Sequence, residues 1–245
     1  MTAADRFPRI DPLGLDGVLV RFADTLTEPA NRAALAFRAA LERDPPEAVE
    51  EVSTALVSTQ LRFDPLHLPL ERLTAELRQR LAAQDWYAAP LPEGRQLLHI
   101  PTLYGTERAP QLAEAAALAG LSRAEAIDQL ARAPLRVTTI GFAPGQPYLG
   151  TLPEARDIPR QTGLTPQVPV GALVVAIRQM VLFSVSTPTG WRHVGQTHVR
   201  LFRPGTAKPF LLRPGDAVRF PAIDRAAFEA MGAVGKDGIT AEPLT

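Results

Sequence analysis

The sequence predicts an α+β protein with a small α/β unit at the N-terminus and a strand-rich C-terminal part. Within the first ninety residues, stretches with apolar side chains at every second position alternate with stretches at helical spacing. From Val137 onward, short apolar runs are separated by turns rich in glycine and proline, which is typical of a compact barrel or sandwich. A chain of 245 residues is long enough for two such modest domains.

The N-terminal pattern begins with a strand over residues 16–22, in which Val18, Val20 and Phe22 share one face. The elements that follow are a helix over 30–41, a β-like run over 49–63, a second helix over 70–81 and a possible last strand over 96–100. This order fits a ferredoxin-like split βαβ unit, which we expect over residues 1–90.

The Pro- and Gly-containing segment 88–94 is the predicted linker, and a second domain is expected over residues 95–245. Residues 97–103 also read as a strand of this second part, leading into a turn at Gly105. An inserted helix pair follows, in which the first helix ends at Gly120 and the second opens with Ser122 and Glu125 at capping-box spacing. The pair resembles a helix-turn-helix, but the nearby sequence has too little basic charge to bind DNA, so we favour packing on the sheet.

The remaining C-terminal strands are predicted over 168–177, 180–185, 199–202 and 217–220. A short helix is expected over 226–231, and the glycine-containing tail beyond it reads as a loose end. In the turn after Pro214 and Gly215, Asp216 is expected to fix the backbone through its own carboxylate.

Composition excludes several classes of function. The 26 basic and 26 acidic residues cancel, so the basic excess typical of a nucleic-acid binder is missing. The sequence has no cysteine, no close pair among its four histidines and no glycine-rich phosphate loop, so we expect neither a metal site nor a nucleotide loop of known pattern. Without an apolar run near the ~20 residues of a membrane helix, and without a signal-peptide pattern at the start, we expect a cytoplasmic protein that does not bind membranes.

Five blocks of glycine, proline and polar residues run in a fixed order through the C-terminal part. They are 141–150 (Gly-Phe-Ala-Pro-Gly-Gln-Pro-Tyr-Leu-Gly), Pro159-Arg160, 168–173 (Val-Pro-Val-Gly-Ala-Leu), 188–197 (Pro-Thr-Gly-Trp-Arg-His-Val-Gly-Gln-Thr) and 214–220 (Pro-Gly-Asp-Ala-Val-Arg-Phe). In order and spacing they resemble the family of the 5-oxoprolinase B subunit, KipI-like proteins and allophanate hydrolase subunit 1, the carboxyltransferase subdomain C/D family. The resemblance implies a ferredoxin-like N-terminal domain followed by a cyclophilin-like β-barrel.

The chain departs from the family pattern mainly in polar side chains. Gln-Thr-Gly of the family reads Gln179-Met180-Val181 here, a family tyrosine reads Phe183, and a second Pro-Arg is missing near residue 165. A family histidine reads Leu130, and a family acidic residue reads Gln111. The turns are therefore kept while part of a polar site is lost, which suggests a changed chemistry or none.

The resemblance implies a component of a two-subunit ATP-dependent amidohydrolase that opens 5-oxoproline to glutamate, or of an allophanate hydrolase-like system. It therefore implies the second subunit of that system as partner, a small-molecule amide as substrate and ATP as cofactor. Two alternatives stay open: a regulatory protein that inhibits a histidine kinase, as KipI-like proteins do by name, and a scaffold subunit without catalysis.

Among the matched positions, the candidate catalytic residues are Arg160, His193 and Gln179. The Arg160 guanidinium could bind a carboxylate or phosphate with two parallel hydrogen bonds. His193 could transfer a proton near neutral pH, although an exposed turn histidine is the favoured interpretation because the sequence shows no acidic partner for it. Gln179 could hydrogen-bond an amide. The candidate substrate-binding residues are Tyr148, Gly145 and Trp191, and for both Tyr148 and Trp191 packing is an equally good or better interpretation.

Overall fold

A computed structural model describes residues 7–244, apart from the side chain of Ala155. The chain divides into two compact units between Glu93 and Gly94. Residues 1–6, where the sequence argues against a signal peptide, lie outside the described residues. The first unit contains β1 (Arg9–Leu13), β2 (Gly17–Arg21), α1 (Glu28–Arg43), β3 (Val49–Ala55), β4 (Ser58–Phe63) and α2 (Leu70–Ala82).

The first unit is a four-stranded antiparallel sheet in the order β1-β2-β4-β3, with a core of apolar side chains from the sheet and both helices. Helix α1 begins where predicted, because Thr27 accepts a hydrogen bond from the backbone of Ala30 and Pro29 occupies the first turn. The β-like run over 49–63 forms the hairpin of β3 and β4, the two consecutive strands that the ferredoxin-like order requires there. The backbone reverses at Leu56, which adopts a φ of 55°.

The edge strand of this sheet differs from the prediction. It is β1, which pairs with β2 in antiparallel register, whereas residues 96–100 belong to the second unit. The sequence around β1 did not read as a strand because Pro8 and Pro12 interrupt it. An edge strand tolerates proline, since one side of its backbone has no partner strand. The predicted last strand of the ferredoxin-like unit is therefore wrong.

The second unit is built on one strongly curled nine-stranded sheet, in the order β15-β5-β14-β7-β8-β11-β10-β13-β6, with a separate pair β12-β9. Its strands are β5 (Gln96–His99), β6 (Leu103–Tyr104), β7 (Leu135–Ile140), β8 (Pro147–Gly150), β9 (Thr165–Val168), β10 (Ala172–Ala176), β11 (Gln179–Leu182), β12 (Thr187–Thr189), β13 (Arg192–Gln196), β14 (Ala217–Arg219) and β15 (Thr240–Pro243). Because β5 and β6 are consecutive parts of one stretch, the sheet curls back on itself. The backbone of Thr102 bonds Pro221 beyond β14, and the buried Tyr104 hydroxyl donates to the carbonyl of Phe220.

The helices of the second unit are α3 (Leu112–Leu118), α4 (Arg123–Arg132) and α5 (Arg225–Ala233). Helices α3 and α4 pack on the sheet through Leu112, Ala116, Ala126 and Leu130, which belong to its main core. Ser122 and Glu125 form the predicted capping box of α4. The interpretation of this pair as packing helices is confirmed by that shared core.

The two faces of the curled sheet carry different apolar clusters. Alternate residues of β10 and β11 point to opposite faces, so that Leu173, Val175, Met180 and Leu182 join the main core. A smaller cluster on the opposite face consists of Val168, Ala172, Val174, Ala176, Val181, Phe183 and Trp191. The candidate site lies on that second face.

Two predictions for the C-terminal part are wrong. Residues 199–202 are not a strand, and only Phe202 makes an isolated bridge, to Phe210. The tail is not loose throughout, because β15 pairs antiparallel with β5 at the sheet edge. The edge position explains the error, since β15 has exposed side chains and therefore lacks the apolar alternation of a half-buried strand.

Asp216 should be a large contributor to the stability of the second unit. Its buried carboxylate accepts hydrogen bonds from the backbone amides of Gln96 (2.9 Å) and Arg213 (3.0 Å). Asp216→Ala leaves both amides without these acceptors, and we expect a loss of about 2–4 kcal/mol in the free energy of unfolding. Denaturant unfolding in a Trp86→Phe background, where Trp191 fluorescence reports on the second unit, measures it. The exposed Asp128→Ala control should stay within ~0.5 kcal/mol, and an equally small effect at Asp216 would contradict this account.

Candidate functional site

A cleft of about 1210 Å³ opens on the second unit. Its walls come from four segments, 107–111, 165–170, 196–203 and 228–237, while Ser184 and His193 also line it. The segment 196–203 follows β13, and 228–237 includes the end of α5, so the two main walls lie directly beside the second face of the curled sheet. Clefts of this size that collect a few polar groups are the usual form of small-molecule sites.

Three residues of the cleft lining each carry one polar side-chain atom that is shielded from solvent and has no hydrogen-bond partner among the described residues. They are Ser184 Oγ, His193 Nε2 and Gln196 Oε1. His193 and Gln196 are only 4% and 6% exposed. Because a buried polar atom without a partner costs about 1–3 kcal/mol, each of the three needs a partner, such as an ordered water, beyond the described residues.

The Gln196 side chain is held in one orientation. Its Nε2 donates to the backbone carbonyls of Val170 (2.9 Å) and Thr197 (3.0 Å). Because both partners can only accept, the amide nitrogen must face them and Oε1 must be the atom left without a partner. Gly171, with a φ of 78°, allows this close packing, since a Cβ there would lie 2.5 Å from the Thr197 carbonyl oxygen.

His193 lies on β13 and is buried, so the favoured interpretation as an exposed turn histidine is wrong. Gln111, at the start of α3, holds its backbone from both sides. The Gln111 side chain accepts from the His193 amide (2.8 Å), and the Gln111 amide donates to the His193 carbonyl (3.0 Å). Gln161 extends this contact by accepting from Gln111 Nε2 and donating to the carbonyl of Trp191. The imidazole is therefore carried on a fixed backbone.

Burial lowers the pKa of His193 below its usual value. The backbone of Gly195 and the nearby side chain of Gln196 partly offset this by favouring the protonated ring, although Gln196 Oε1 is not within hydrogen-bonding geometry of the imidazole. The ring is thus neutral at pH 7, and one of its nitrogens can accept a proton.

The charges around the cleft leave a positive surplus. Both acidic residues that line it are paired: Glu107 with Arg225, at 2.6 Å, and Asp237 with Arg203, also at 2.6 Å. The Arg225 hydrogen bonds hold the pKa of Glu107 at about 2, so this carboxylate stays ionised. The remaining charged residues of the lining are Arg108, Arg200 and Lys236, all exposed cations. An anionic group would therefore be attracted to this cleft.

Of the six candidate residues from the sequence, the structure places His193 in the lining of the cleft and the other five outside it. Arg160 is exposed and lies against Gly190, where a Cβ would be 3.3 Å from its guanidinium. Gln179 is buried on β11, with Nε2 lacking a partner among the described residues. That Arg160 binds an anion and that Gln179 hydrogen-bonds an amide therefore remain predictions.

The candidate substrate-binding residues surround the second face without entering the cleft. Tyr148 packs edge-to-face on the buried Trp191, with ring centroids 6.3 Å apart, as the packing interpretation of both residues predicts. Gly145 adopts a φ of 72°, and a Cβ there would lie 2.9 Å from the carbonyl oxygen of Leu201. This glycine therefore lets the loop over 141–146 support the cleft wall at Leu201.

Within residues 7–244, no group of three or more histidine, aspartate and glutamate side chains is placed to hold a metal ion. In the same part of the chain, none of the helices combines the length and the apolar character needed to cross a membrane.

Residues 8–212 match the family model described as carboxyltransferase domain, subdomain C and D. A Bacillus subtilis (strain 168) protein, named as the B subunit of 5-oxoprolinase, is 32% identical over 234 residues, which cover 91% of this chain and 95% of that protein. The match therefore extends across both units described above.

Two solved structures show the same architecture. The structure of TTHA0988 is 35% identical with a TM-score of 0.70, and the alignment covers 85% of this chain but only 40% of that longer chain. The Kluyveromyces lactis urea carboxylase, at 15% identity and a TM-score of 0.68, shares the fold over 96% of this chain and 24% of its own. The chain thus belongs to the carboxyltransferase subdomain C and D family, together with proteins named as the B subunit of 5-oxoprolinase.

Proposed function

We propose that this chain is the B-type subunit of an ATP-dependent hydrolase assembly that opens a cyclic amide, with 5-oxoproline as the first substrate to test. The Bacillus subtilis relative carries the name of that activity. The observation that carries the proposal is the cleft of the second unit, where buried Ser184, His193 and Gln196 atoms have no partner among the described residues. An allophanate hydrolase-like substrate is the related possibility.

His193 is the proposed proton carrier in this cleft. Opening a cyclic amide adds water across the C–N bond, so that one proton must leave the water and one must reach the ring nitrogen. A neutral imidazole can accept the first proton at Nε2 and deliver it to the nitrogen, which leaves His193 unchanged after each turnover. Its buried position and lowered pKa support this role, because the ring is unprotonated at pH 7.

ATP is proposed to act in the assembled complex. The sequence has no glycine-rich phosphate loop. At the N-termini of α4 and α5, one first-turn amide already donates to the capping side chain, Glu125 to Ser122 and Ala227 to Asp224. The cationic surplus at Arg108, Arg200 and Lys236 would fit a phosphate or a substrate carboxylate. When bound, ATP supplies the driving free energy for ring opening, while the residues of this chain orient the substrate and move the proton.

A partner subunit is proposed to cover the lip of the cleft. Among residues 7–244, the exposed phenylalanines are Phe142, Phe202 and Phe210, and they lie on two loops that contact each other through Gly145 and Leu201. Phe202 also lines the cleft and packs against Phe210, with ring centroids 5.1 Å apart. Exposed aromatic clusters of this kind are typical of interface cores. In TTHA0988, the part similar to this chain makes up 40% of a longer polypeptide, which supports a partner for this chain.

Co-expression with the cognate second subunit tests the partner proposal. Size exclusion with light scattering should show a stable 1:1 or 2:2 complex. We expect the interface of such a complex to bury more than ~1,000 Å² in total. Separate elution of the two chains at micromolar concentration would contradict a subunit role.

We also propose that the two units are independent domains, the first ferredoxin-like over residues 1–90 and the second a cyclophilin-like β-barrel over 95–245. The curled sheet, joined through the stretch from β5 to β6, supports the barrel. The split β2-α1-β3-β4-α2 order supports the ferredoxin-like unit, with β1 in the place of the missing last strand.

A further inference from the structure

We propose that Gln111 and Gln161 are the positioning residues of His193, which they hold through a closed ring of hydrogen bonds on the outer edge of β13. This inference rests on the proposed function, because it concerns the residue that is proposed to carry the proton. In the sequence, Gln111 stands out only as a departure from the family pattern, and Gln161 does not stand out at all. Gln111 lines the cleft, whereas Gln161 lies behind it.

The edge of β13 that faces away from β10 is covered by a strand along only part of its length. Strand β6 pairs there with Gly195 and Gln196 and ends at Tyr104. The backbone groups of Trp191 and His193 lie further along this edge and need other partners, because a buried backbone amide or carbonyl without one is costly. Two glutamine side chains take the place of a neighbouring strand.

The ring of hydrogen bonds starts and ends on the backbone of β13. The His193 amide donates to Gln111 Oε1 (2.8 Å). Gln111 Nε2 donates to Gln161 Oε1 (2.6 Å), and Gln161 Nε2 donates to the Trp191 carbonyl (3.0 Å). Because a backbone amide can only donate and a carbonyl can only accept, each glutamine has one allowed orientation. All three bonds run in the same direction round the ring, an arrangement in which hydrogen bonds strengthen one another.

Backbone bonds fasten the same two glutamines to β13. The Gln111 amide donates to the His193 carbonyl (3.0 Å), and the Gln161 amide donates to the Gly190 carbonyl (2.7 Å). His193 and Trp191 are only 4% and 8% exposed, so little water competes for these bonds. The direction in which His193 leaves the backbone is therefore fixed. Such orientation matters for proton transfer, since a misplacement of about 1 Å can cost about a hundredfold in rate.

The ring makes the two glutamine positions depend on each other. Gln111→Glu still accepts from the His193 amide but turns an oxygen toward Gln161 Oε1. A flip of the Gln161 amide would only move this conflict to the Trp191 carbonyl. Gln161→Lys offers donors alone, which conflicts with Gln111 Nε2. The combined variant, Gln111→Glu with Gln161→Lys, closes the ring again, because the ammonium can donate to both the carboxylate and the Trp191 carbonyl.

Kinetics of the reconstituted complex, expressed per folded complex, test the positioning role. Gln161→Met is neutral and unbranched and lies outside the cleft lining, so it should lower kcat at least about tenfold while KM changes less than about twofold. Gln111→Glu should also lower kcat, and the combined variant should recover kcat to within about threefold of wild type. The control Gln84→Met replaces an exposed glutamine of the first unit and should leave both constants unchanged.

NMR of the full chain, without partner or ATP, tests the ring separately from any activity. The ¹H–¹⁵N signals of the His193 imidazole should shift in Gln161→Met and stay unchanged in Gln84→Met. Hydrogen exchange at the His193 backbone amide should become faster in Gln161→Met and slow again in the combined variant, where the amide regains a fixed acceptor. A role confined to folding stability would leave the imidazole signals of the folded chain where they are.

Imidazole signals of His193 that do not move in Gln161→Met would overturn the inference, as would a kcat within about twofold of wild type in an active complex. A combined variant that is no more active than Gln111→Glu would also contradict the ring. If the single variants do not fold, the combined variant decides, because it should fold with a protected His193 amide, and a chain that stays unfolded would overturn the inference. An inactive wild-type complex would contradict the proposed function, while the NMR comparison would still decide the role of the two glutamines.

Discussion

His193→Phe is expected to reduce kcat/KM of the assembled complex by about 10²–10⁴-fold, because the cleft loses its proposed proton carrier. Phenylalanine keeps a flat aromatic ring at this position, and the backbone bonds to Gln111 do not depend on the side chain, so the complex should still form. Steady-state kinetics of the reconstituted complex measure the loss. The control His67→Phe replaces an exposed histidine of the first unit and should leave the rate unchanged.

The pH dependence of the rate and of the stability provides a second test of the role of His193. Because burial lowers the pKa of His193, the neutral ring persists as the pH falls below 6.5, and the acid limb of the wild-type rate should lie below that value. The same shift means that the unfolded chain binds the proton more readily, so wild-type stability should fall as the pH drops below 6.5. His193→Phe should remove this part of the decrease. A rate within threefold of wild type in His193→Phe would contradict the role of His193.

The double substitution Phe202→Asp with Phe210→Asp is expected to weaken partner binding by at least about thirtyfold, equivalent to about 2 kcal/mol. Both side chains are exposed, and each aspartate would bring a charge into the apolar patch that the partner is proposed to bury. Titration of the labelled chain with the second subunit measures the dissociation constant. Leu66→Asp, at a leucine that is 90% exposed in the first unit, is the matched control.

A dissociation constant that the Phe202 and Phe210 substitutions leave unchanged would place the interface elsewhere on the chain. The activity of that complex would then still test the proposed function, because the location of the interface is a separate claim.

Much of the chain could be predicted because its local pattern and its tertiary environment agree. Helix α1 has apolar residues at 3.6-residue spacing, a capping threonine and a proline in the first turn, and the structure has that helix. The capping box of α4 is likewise visible in four consecutive residues. Where local preference and packing point the same way, sequence reasoning suffices.

Strand β13 shows where this reasoning fails. Its sequence Arg-His-Val-Gly-Gln reads as a polar turn, yet every residue of it is buried. The Arg192 guanidinium is buried because it bonds Glu114 at 2.8 Å and the carbonyl of Pro159, partners 78 and 33 residues away. These partners come from distant parts of the chain, so the local sequence does not indicate that the charge of Arg192 can be buried.

The candidate site was predicted only in part, because its geometry also depends on residues that are distant in the sequence. His193 was found through its family motif and its chemistry, but its burial depends on the distant residue Gln111. Whether Gln196 is an ordinary polar residue or an acceptor without a partner depends on where Val170 and Thr197 lie. The six candidates were chosen by residue type, and residue type does not reveal which side of a strand faces a cleft.

The measurement that tests the central claim most directly is turnover of 5-oxoproline by the purified complex of this chain and its cognate second subunit, followed by formation of glutamate. The account predicts glutamate only when both subunits and ATP are present, and a rate that falls about 10²–10⁴-fold with His193→Phe. A stable complex that forms no glutamate with ATP, or a second subunit that is fully active without this chain, would contradict the account.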